Sequence, residues 1–100
     1  MMRLRLKTIK KPELSNLHLV LKAKWYNLIE SGEKTSEYRE VKPYWDNRLN
    51  KHYDTVTFQK GYTKNPQKMT FEILSIIKTS APNDLDLEEV YEIKLGKRLN

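Results

Sequence analysis

The 100-residue sequence contains no cysteine and only three glycines. The absence of cysteine excludes disulfides, thiolate nucleophiles and cysteine-ligated zinc or iron–sulfur sites. The scarcity of glycine leaves no glycine-rich loop of the kind that cradles phosphates. No apolar run approaches the ~20 residues of a membrane span, and the basic N-terminus is not followed by the apolar stretch of a signal peptide. We therefore expect a cytoplasmic protein without a membrane partner.

Composition and charge indicate one small basic domain. Hydrophobic residues make up 38% of the chain and charged residues 32%, which fits a single domain with a modest core. The net charge of +6 and the sequence pI near 9.5 favour encounter with polyanions such as nucleic acid. Residues 1–16 carry +4, residues 17–71 carry +4 and residues 72–100 carry −2. An anion site is therefore expected in the first two segments.

The segment 32–39, with the sequence GEKTSEYR, joins the end of a helix to the start of a strand. Before it, Trp25, Leu28 and Ile29 recur at helical spacing, which predicts a helix over 23–31. The glycine that follows is the residue that commonly closes a helix in a left-handed conformation. The charged side chains of the segment are thereby brought together on ordered backbone.

Glu37 and Arg39 are predicted to lie on the same face of that strand, because side chains alternate with a period of two. A carboxylate beside a guanidinium holds it in one orientation and leaves some of its five donors free for a phosphate or a planar polar ligand. The alternative is a solvated strand edge with a surface ion pair worth about 0 to 1 kcal/mol. Spacing alone favours the surface ion pair.

The pattern Gly-x-Lys-x-x-Glu-x-Arg, formed by Gly32, Lys34, Glu37 and Arg39, resembles the signature of the ASCH (activating signal cointegrator homology) family in its small phage and bacterial form. Further segments are similar to strands and helix entries of that family: LVLKAKW at 19–25, EYREVKPYW at 37–45, YDTVTF at 53–58 and YEIKLG at 91–96. The resemblance covers residues 17–98 and leaves the N-terminal arm unexplained.

The resemblance implies a PUA-like fold, a small β-barrel with helices packed at its ends and a basic cleft associated with RNA or nucleotide ligands. One branch of the family resembles an amidohydrolase that deacylates modified cytidine with the motif lysine, a threonine and a distal glutamate. Here the lysine is Lys34, and Glu37 stands at the position of the threonine. The distal glutamate is not assigned among four candidates: Glu72, Glu88, Glu89 and Glu92.

The remaining pattern independently favours a barrel over a parallel α/β sheet, because short alternating strands are punctuated by turns. Strands are predicted over 17–22, 35–39, 53–59 and 88–95, and a helical turn over 42–49 begins near a proline. A longer strand from Met69, rich in Ile and Leu, is expected to be buried on both faces. The predicted fold class is α+β, mainly β: a PUA-like barrel of about five to six strands with one to two short helices.

The expected domain organisation is one ASCH (PUA-like) domain over 17–100, preceded by residues 1–16. These first residues alternate leucine with basic side chains before a Lys-Lys-Pro break. They form either an additional edge strand or a disordered basic arm.

Aromatic residues form a second chemical feature of the chain. Eight of the ten lie between Trp25 and Tyr62, interleaved with lysines and arginines, and unpaired bases stack on such rings while basic side chains follow phosphates. For Tyr44, Trp45 and Tyr62 the stacking and core interpretations are equally supported. For Trp25, Phe58 and Tyr53 the core interpretation is favoured. Lys24, and more weakly Lys22, are candidates to line the cleft from the strand-to-helix junction, the alternative being solvent exposure for solubility.

The sequence therefore supports two alternative functions. In the first, the domain binds RNA, a nucleotide or a nucleoside through Lys24, Lys34, Glu37, Arg39, Tyr44 and Trp45. In the second, it is a small hydrolase, an amidohydrolase on N4-acylated cytidine or a ribonuclease, in which Lys34 and Glu37 are catalytic. A protein-interaction domain is a third, weaker alternative. No cofactor and no metal site are expected, because His18 and His52 lack companions at ligand spacing.

Overall fold

The computed structural model describes residues 14–100, which fold into a five-stranded mixed sheet curled into a half-barrel with two short helices. The elements follow in the order β1 (Asn16–Leu21), α1 (Ala23–Glu30), β2 (Ser36–Glu40), α2 (Pro43–Leu49), β3 (Thr55–Lys60), β4 (Lys68–Thr79) and β5 (Val90–Arg98). The predicted α+β small barrel is confirmed, with five strands and two helices.

The strand order in the sheet is β1-β3-β4-β5-β2. Only β1 and β3 pair in parallel, whereas β3 with β4, β4 with β5 and β5 with β2 are antiparallel. Within residues 14–100, β1 and β2, which are the first two strands in sequence order, are therefore the two edges of the sheet. Because the sheet curls, these edges lie on either side of the opening of the half-barrel.

The core is built where the period-two pattern of the sequence predicts it. In β1, Leu17, Leu19 and Leu21 are 1–3% exposed while the residues between them are less buried. The neighbouring β3 contributes Val56 and Phe58, which are fully buried. The parallel register places Leu17 beside Val56 and Leu19 beside Phe58, so the two strands present one apolar face to the interior.

The two helices occur close to their predicted positions. Helix α1 buries Tyr26 and Ile29 against the core, and Gly32 just beyond it has a φ of +86°, the left-handed conformation that was expected. Helix α2 has Pro43 in its first turn, where the missing N–H costs nothing. Its C-terminal Leu49 is buried.

The prediction that the long strand β4 is buried on both faces is wrong for its second half. Met69 and Phe71 belong to the core, but Leu74 is 61% exposed and Ile77 is 49% exposed. Register shifts between β4 and β5 fall at 71–73 and 73–75 and change the alternation of the strand at that point. The apolar pattern of β4 alone does not indicate that its side chains become exposed from this point on.

The predicted N-terminal segment 1–16 lies outside the described residues except for its last three, and Asn16 already belongs to β1. Within residues 14–100, neither helix is long and apolar enough to cross a membrane.

Candidate functional site

The backbone at the end of α1 fixes the position of Lys34. The Gly32 N–H donates to the carbonyl of Ile29 at 3.1 Å, and the Lys34 N–H donates to the carbonyl of Leu28 at 3.0 Å. These bonds use carbonyls of the last helical turn that have no partner within the helix. The lysine is therefore held against the helix end before the chain enters β2.

Strand β2 places Glu37 and Arg39 side by side, as predicted. Glu37 lies opposite Ile93 and Arg39 lies opposite Tyr91 in the antiparallel register with β5. The Arg39 Nη2 donates to Glu37 Oε2 at 2.7 Å. Glu37 is only 6% exposed, so the alternative of a solvated surface pair is wrong for this strand.

Lys34 extends the pair into a chain of four charges. Its Nζ lies 3.4 Å from Glu37 Oε1, while Glu37 Oε2 is taken by Arg39. The same Nζ donates to the carboxylate of Asp84, which comes from the loop between β4 and β5. The side chains of Lys34 and Glu37 are 9% and 8% exposed, so their charges are largely removed from water. Two cations and two carboxylates thus balance one another in a cluster in which Lys34 and Glu37 are largely buried, whereas Arg39 and Asp84 are partly exposed.

Two aromatic rings enclose the lysine as well. The Nζ of Lys34 lies 5.1 Å from the ring centroid of Trp25 and 4.8 Å from that of Tyr38. Both distances lie within the range of a cation–π attraction. Neither contact was predicted from the sequence.

Burial of Glu37 raises the pKa of its carboxyl above the ordinary value of 4.5, and the neighbouring charges of Arg39 and Lys34 only partly oppose this effect. Removing a carboxylate from water disfavours its charged form. A cluster that combines a perturbed carboxyl with two cations is typical of ligand and catalytic sites.

A cleft of 650 Å³ opens beside this cluster, between the two edge strands of the half-barrel. Its walls come from β1, the start of α1, β2, α2 and the β4–β5 loop: Val20, Leu21, Lys22, Trp25, Glu37, Tyr38, Arg39, Glu40, Lys42, Trp45, Leu85 and Leu87. The volume lies within the range of about 300–1,000 Å³ typical of small-molecule sites. The cleft therefore exists because the sheet does not close between β1 and β2.

The lining of the cleft is mixed in charge, with three cationic and two acidic side chains. Lys42 and Glu40 face each other with 3.4 Å between Nζ and Oε1. Lys22 lines the cleft, whereas Lys24, the stronger candidate in the sequence, is not among its described lining residues. The Nζ of Lys24 lies 4.7 Å from the Trp25 ring centroid.

Arg39 presents unused hydrogen-bonding capacity to the cleft. Its Nε–H is buried and has no hydrogen-bond partner among residues 14–100. Its Cζ lies 5.0 Å from the ring centroid of Trp45, so the guanidinium is held between Glu37 and an indole. A buried donor without a partner is costly, and because this nitrogen is closed to solvent, a ligand in the cleft can reach only the other, partly exposed part of the guanidinium.

Helix α2 is anchored so that Trp45 reaches Arg39. The hydroxyl of Tyr91 in β5 donates to the carboxylate of Asp46 in α2, and this bond raises the pKa of Tyr91 to about 12. Trp45 packs against the core and meets Tyr44 edge to face with 4.8 Å between centroids. Tyr44 itself is 55% exposed and does not line the large cleft, so the structure separates the two aromatic candidates.

Within residues 14–100, none of the four candidate distal glutamates forms an ion pair with Lys34. Glu92 Oε2 accepts a hydrogen bond from Ser36 Oγ at 2.7 Å, and Glu72 Oε1 accepts one from the Lys97 N–H at 3.0 Å. Glu88 and Glu89 are exposed in the loop before β5. Among the described residues, the carboxylate that joins Glu37 at Lys34 is Asp84.

Sequence reasoning missed the contribution of the β4–β5 loop. Asp84, Leu85 and Leu87 reach the cluster or the cleft, yet the local pattern around them indicates only a break between strands. Asp84 follows Lys34 by 50 residues in the sequence. No local periodicity therefore connects these two residues. The only available signal was the loop's pair of aspartates, because a predicted site with excess positive charge attracts acidic side chains from elsewhere in the chain.

The histidines and the remaining acidic groups give no metal site in the part of the chain that the structure describes. His18 Nε2 is 3.0 Å from Gln59 Oε1, and His52 Nε2 is 2.7 Å from Asp54 Oδ1. The first contact joins β1 to β3, and the second lies in the loop before β3.

Comparison with known proteins gives no assignment: no family model matches the sequence, and the search of curated proteins finds no match.

Proposed function

We propose that this chain is an RNA- or nucleotide-binding domain of the ASCH type, with its site in the cleft between β1 and β2. The observation that carries the proposal is the arrangement of Arg39 in the wall of the cleft: Glu37 orients its guanidinium, Trp45 covers it, and its side chain stays 20% exposed. A guanidinium with oriented, unused donors suits a phosphate or a base edge.

The rest of the cleft supplies what a nucleotide needs. Trp25, Tyr38 and Trp45 line it and offer surfaces for a base, and Lys22 and Arg39 offer positive charge beside them. Aromatic stacking combined with basic side chains is the usual means by which unpaired nucleotides are bound. The proposed location is the cytoplasm.

Binding is favoured over catalysis by the surroundings of Lys34. Its Nζ contacts two carboxylates, Glu37 and Asp84, and an ammonium group engaged in this way has no lone pair to activate water. The hydrolase remains the second candidate on one observation: Glu37 is buried beside Lys34 with a raised pKa, as proton-transferring carboxyls often are.

The test is an NMR titration of ¹⁵N-labelled protein with a short single-stranded RNA and, separately, with N4-acetylcytidine, while product signals are monitored. We expect saturable shifts at Lys34, Glu37, Arg39 and the Trp45 indole with the ligand intact. Arg39→Gln should weaken binding at least about tenfold, as the loss of a charged hydrogen-bond partner does.

The matched control is Arg98→Gln, which removes the same charge from the end of β5. The Arg98 guanidinium lies 3.9 Å from the Glu30 carboxylate and does not line the cleft. Equal weakening by both variants would mean general electrostatic attraction and would contradict the proposed site. Released acetate or RNA fragments would make the protein a hydrolase.

A further inference from the structure

A second, smaller cavity adjoins the cleft. It measures 240 Å³ and is lined by His18, Leu19, Val20, Arg39, Tyr44, Trp45, Arg48 and Tyr62. Val20, Arg39 and Trp45 line both cavities, so these three side chains form a common wall. The smaller volume falls below the range of about 300–1,000 Å³ typical of independent ligand sites. It fits an extension of the cleft better than a separate site.

The second cavity has a charge pattern of its own. Arg39 and Arg48 are the arginines in its lining, and the lining contains no carboxylate. Arg48 Nη1 donates to the hydroxyl of Tyr44 at 2.9 Å, and within residues 14–100 no carboxylate oxygen lies within ion-pair distance of Arg48. The cavity is therefore more uniformly positive than the cleft.

Trp45 connects the two arginines. Its ring centroid lies 5.0 Å from the Cζ of Arg39 and 5.6 Å from the Cζ of Arg48. Arg39 thus lies at the boundary between the cavities, and Arg48 lies beside the same indole on the side of the second cavity, so a negative charge at the common wall would be attracted by both. A phosphodiester at this boundary would have room for one nucleoside on each side.

Tyr62 gives the second cavity an open aromatic wall. It lies on the turn after β3, where Gly61 has a φ of +66°, and it is 87% exposed although it lines the cavity. A tyrosine in this position contributes little to the core, and its ring is available to a base. The cleft has its own aromatic residues in Trp25 and Tyr38, so each cavity contains a separate stacking surface.

We infer that the two cavities bind two consecutive, unpaired nucleotides of one strand, with the linking phosphodiester at Arg39 and Arg48. This inference rests on the proposed function and specifies its ligand as at least a dinucleotide. One base occupies the cleft beside Trp25, and the adjacent base occupies the second cavity beside Tyr62. A mononucleotide would leave the second cavity empty.

The experiment compares the four homodinucleoside monophosphates, ApA, CpC, GpG and UpU, with the methyl esters of the corresponding nucleoside 3′-phosphates. Each pair has the same phosphodiester charge and differs only in the second nucleoside. Dissociation constants are measured by NMR titration for the natural protein and for Tyr62→Ala, Tyr62→Phe and Arg39→Gln. Because Tyr62 is almost fully exposed, its variants are expected to fold normally.

We expect at least one dinucleotide to bind about tenfold more tightly than its matched ester, in line with the stacking of one further base. Tyr62→Ala should remove most of that advantage without changing the affinity for the ester, and Tyr62→Phe should retain it. Arg39→Gln should weaken both ligands.

If the esters bind with dependence on Arg39 but no dinucleotide binds more tightly, the two-nucleotide inference is overturned while the proposed function stands. Equal weakening of both ligands by Tyr62→Ala also overturns it. If Arg39→Gln changes neither ligand, or neither class binds, the proposed function fails together with the inference.

Discussion

Glu37 and Arg39 form a buried ion pair with 2.7 Å between Oε2 and Nη2, and the other oxygen of the same carboxylate faces Lys34. One carboxylate therefore serves two cations at the wall of the cleft. The removal of Glu37 takes the carboxylate away from Arg39 and leaves Lys34 with Asp84 alone. The removal of Arg39 still leaves Glu37 paired with Lys34.

A double-mutant cycle on the free energy of unfolding tests this arrangement. Glu37→Ala should cost about 3–5 kcal/mol, the range seen when one partner of a buried pair is removed, and Arg39→Ala should cost less. The coupling energy between them should be about 1–3 kcal/mol, measured by urea denaturation. Single costs that add to within about 0.5 kcal/mol in the double variant would show that the two side chains act independently.

The pH dependence of stability gives a second prediction, because burial raises the pKa of Glu37 above 4.5 in the folded state. As the pH rises, the unfolded chain loses this proton first while the folded protein retains it. The unfolded state then binds fewer protons than the folded state, so stability falls with rising pH through this window. Above the folded-state pKa the full penalty of burying the charge applies.

The measurement is the free energy of unfolding of the natural protein minus that of Glu37→Gln, which does not titrate, at intervals from pH 4 to pH 7. We expect this difference to fall as the pH increases. A difference that rises with pH would show that the attraction of Arg39 and Lys34 outweighs the burial of the carboxyl.

The sequence predicts the part of the site that lies within one local segment. Gly32, Glu37 and Arg39 follow from helix-end chemistry and from the period of two, since both depend on neighbours in the chain. The barrel-like fold follows in the same way from short alternating strands. These features require no knowledge of which strands pair.

Features that depend on curvature and on distant loops were not predictable from the sequence. Asp84 meets Lys34 only because the β4–β5 loop folds over the open side of the half-barrel. Lys22 lines the cleft whereas Lys24 does not. The chain changes from extended to helical backbone between these two residues, so their side chains leave it in different directions. The exposure of Leu74 similarly depends on how far along β4 other parts of the chain pack against the strand.

Asp84 neutralises part of the positive charge of Lys34 beside the cleft. Asp84→Asn removes one of the two carboxylates that contact the Lys34 ammonium and adds one unit of positive charge to the cluster beside the cleft. We therefore expect affinity for a single-stranded oligonucleotide to rise about three- to tenfold at low salt, with a smaller gain at higher salt because exposed charges are screened.

The matched control for this variant is Asp86→Asn, two residues further along the same loop. It makes the same change in charge, and asparagine tolerates the φ of +54° found at this position. A gain of equal size in both variants would attribute the effect to net charge rather than to Lys34. A loss of affinity in Asp84→Asn would instead show that Asp84 positions the loop for binding.

The boundary of the core in the sheet gives the last prediction. Phe58 in β3 is fully buried, lies 6.0 Å from Phe71 between ring centroids and belongs to the main core cluster. Phe58→Ala should therefore cost about 3–5 kcal/mol in the free energy of unfolding, the range for a buried aromatic that leaves a cavity. Ile77 in β4 is 49% exposed, so Ile77→Ala should cost under about 1 kcal/mol. Both values are measured by urea denaturation. A loss of about 2 kcal/mol or more in Ile77→Ala, the lower limit for a buried isoleucine, would show that the second half of β4 is covered in solution.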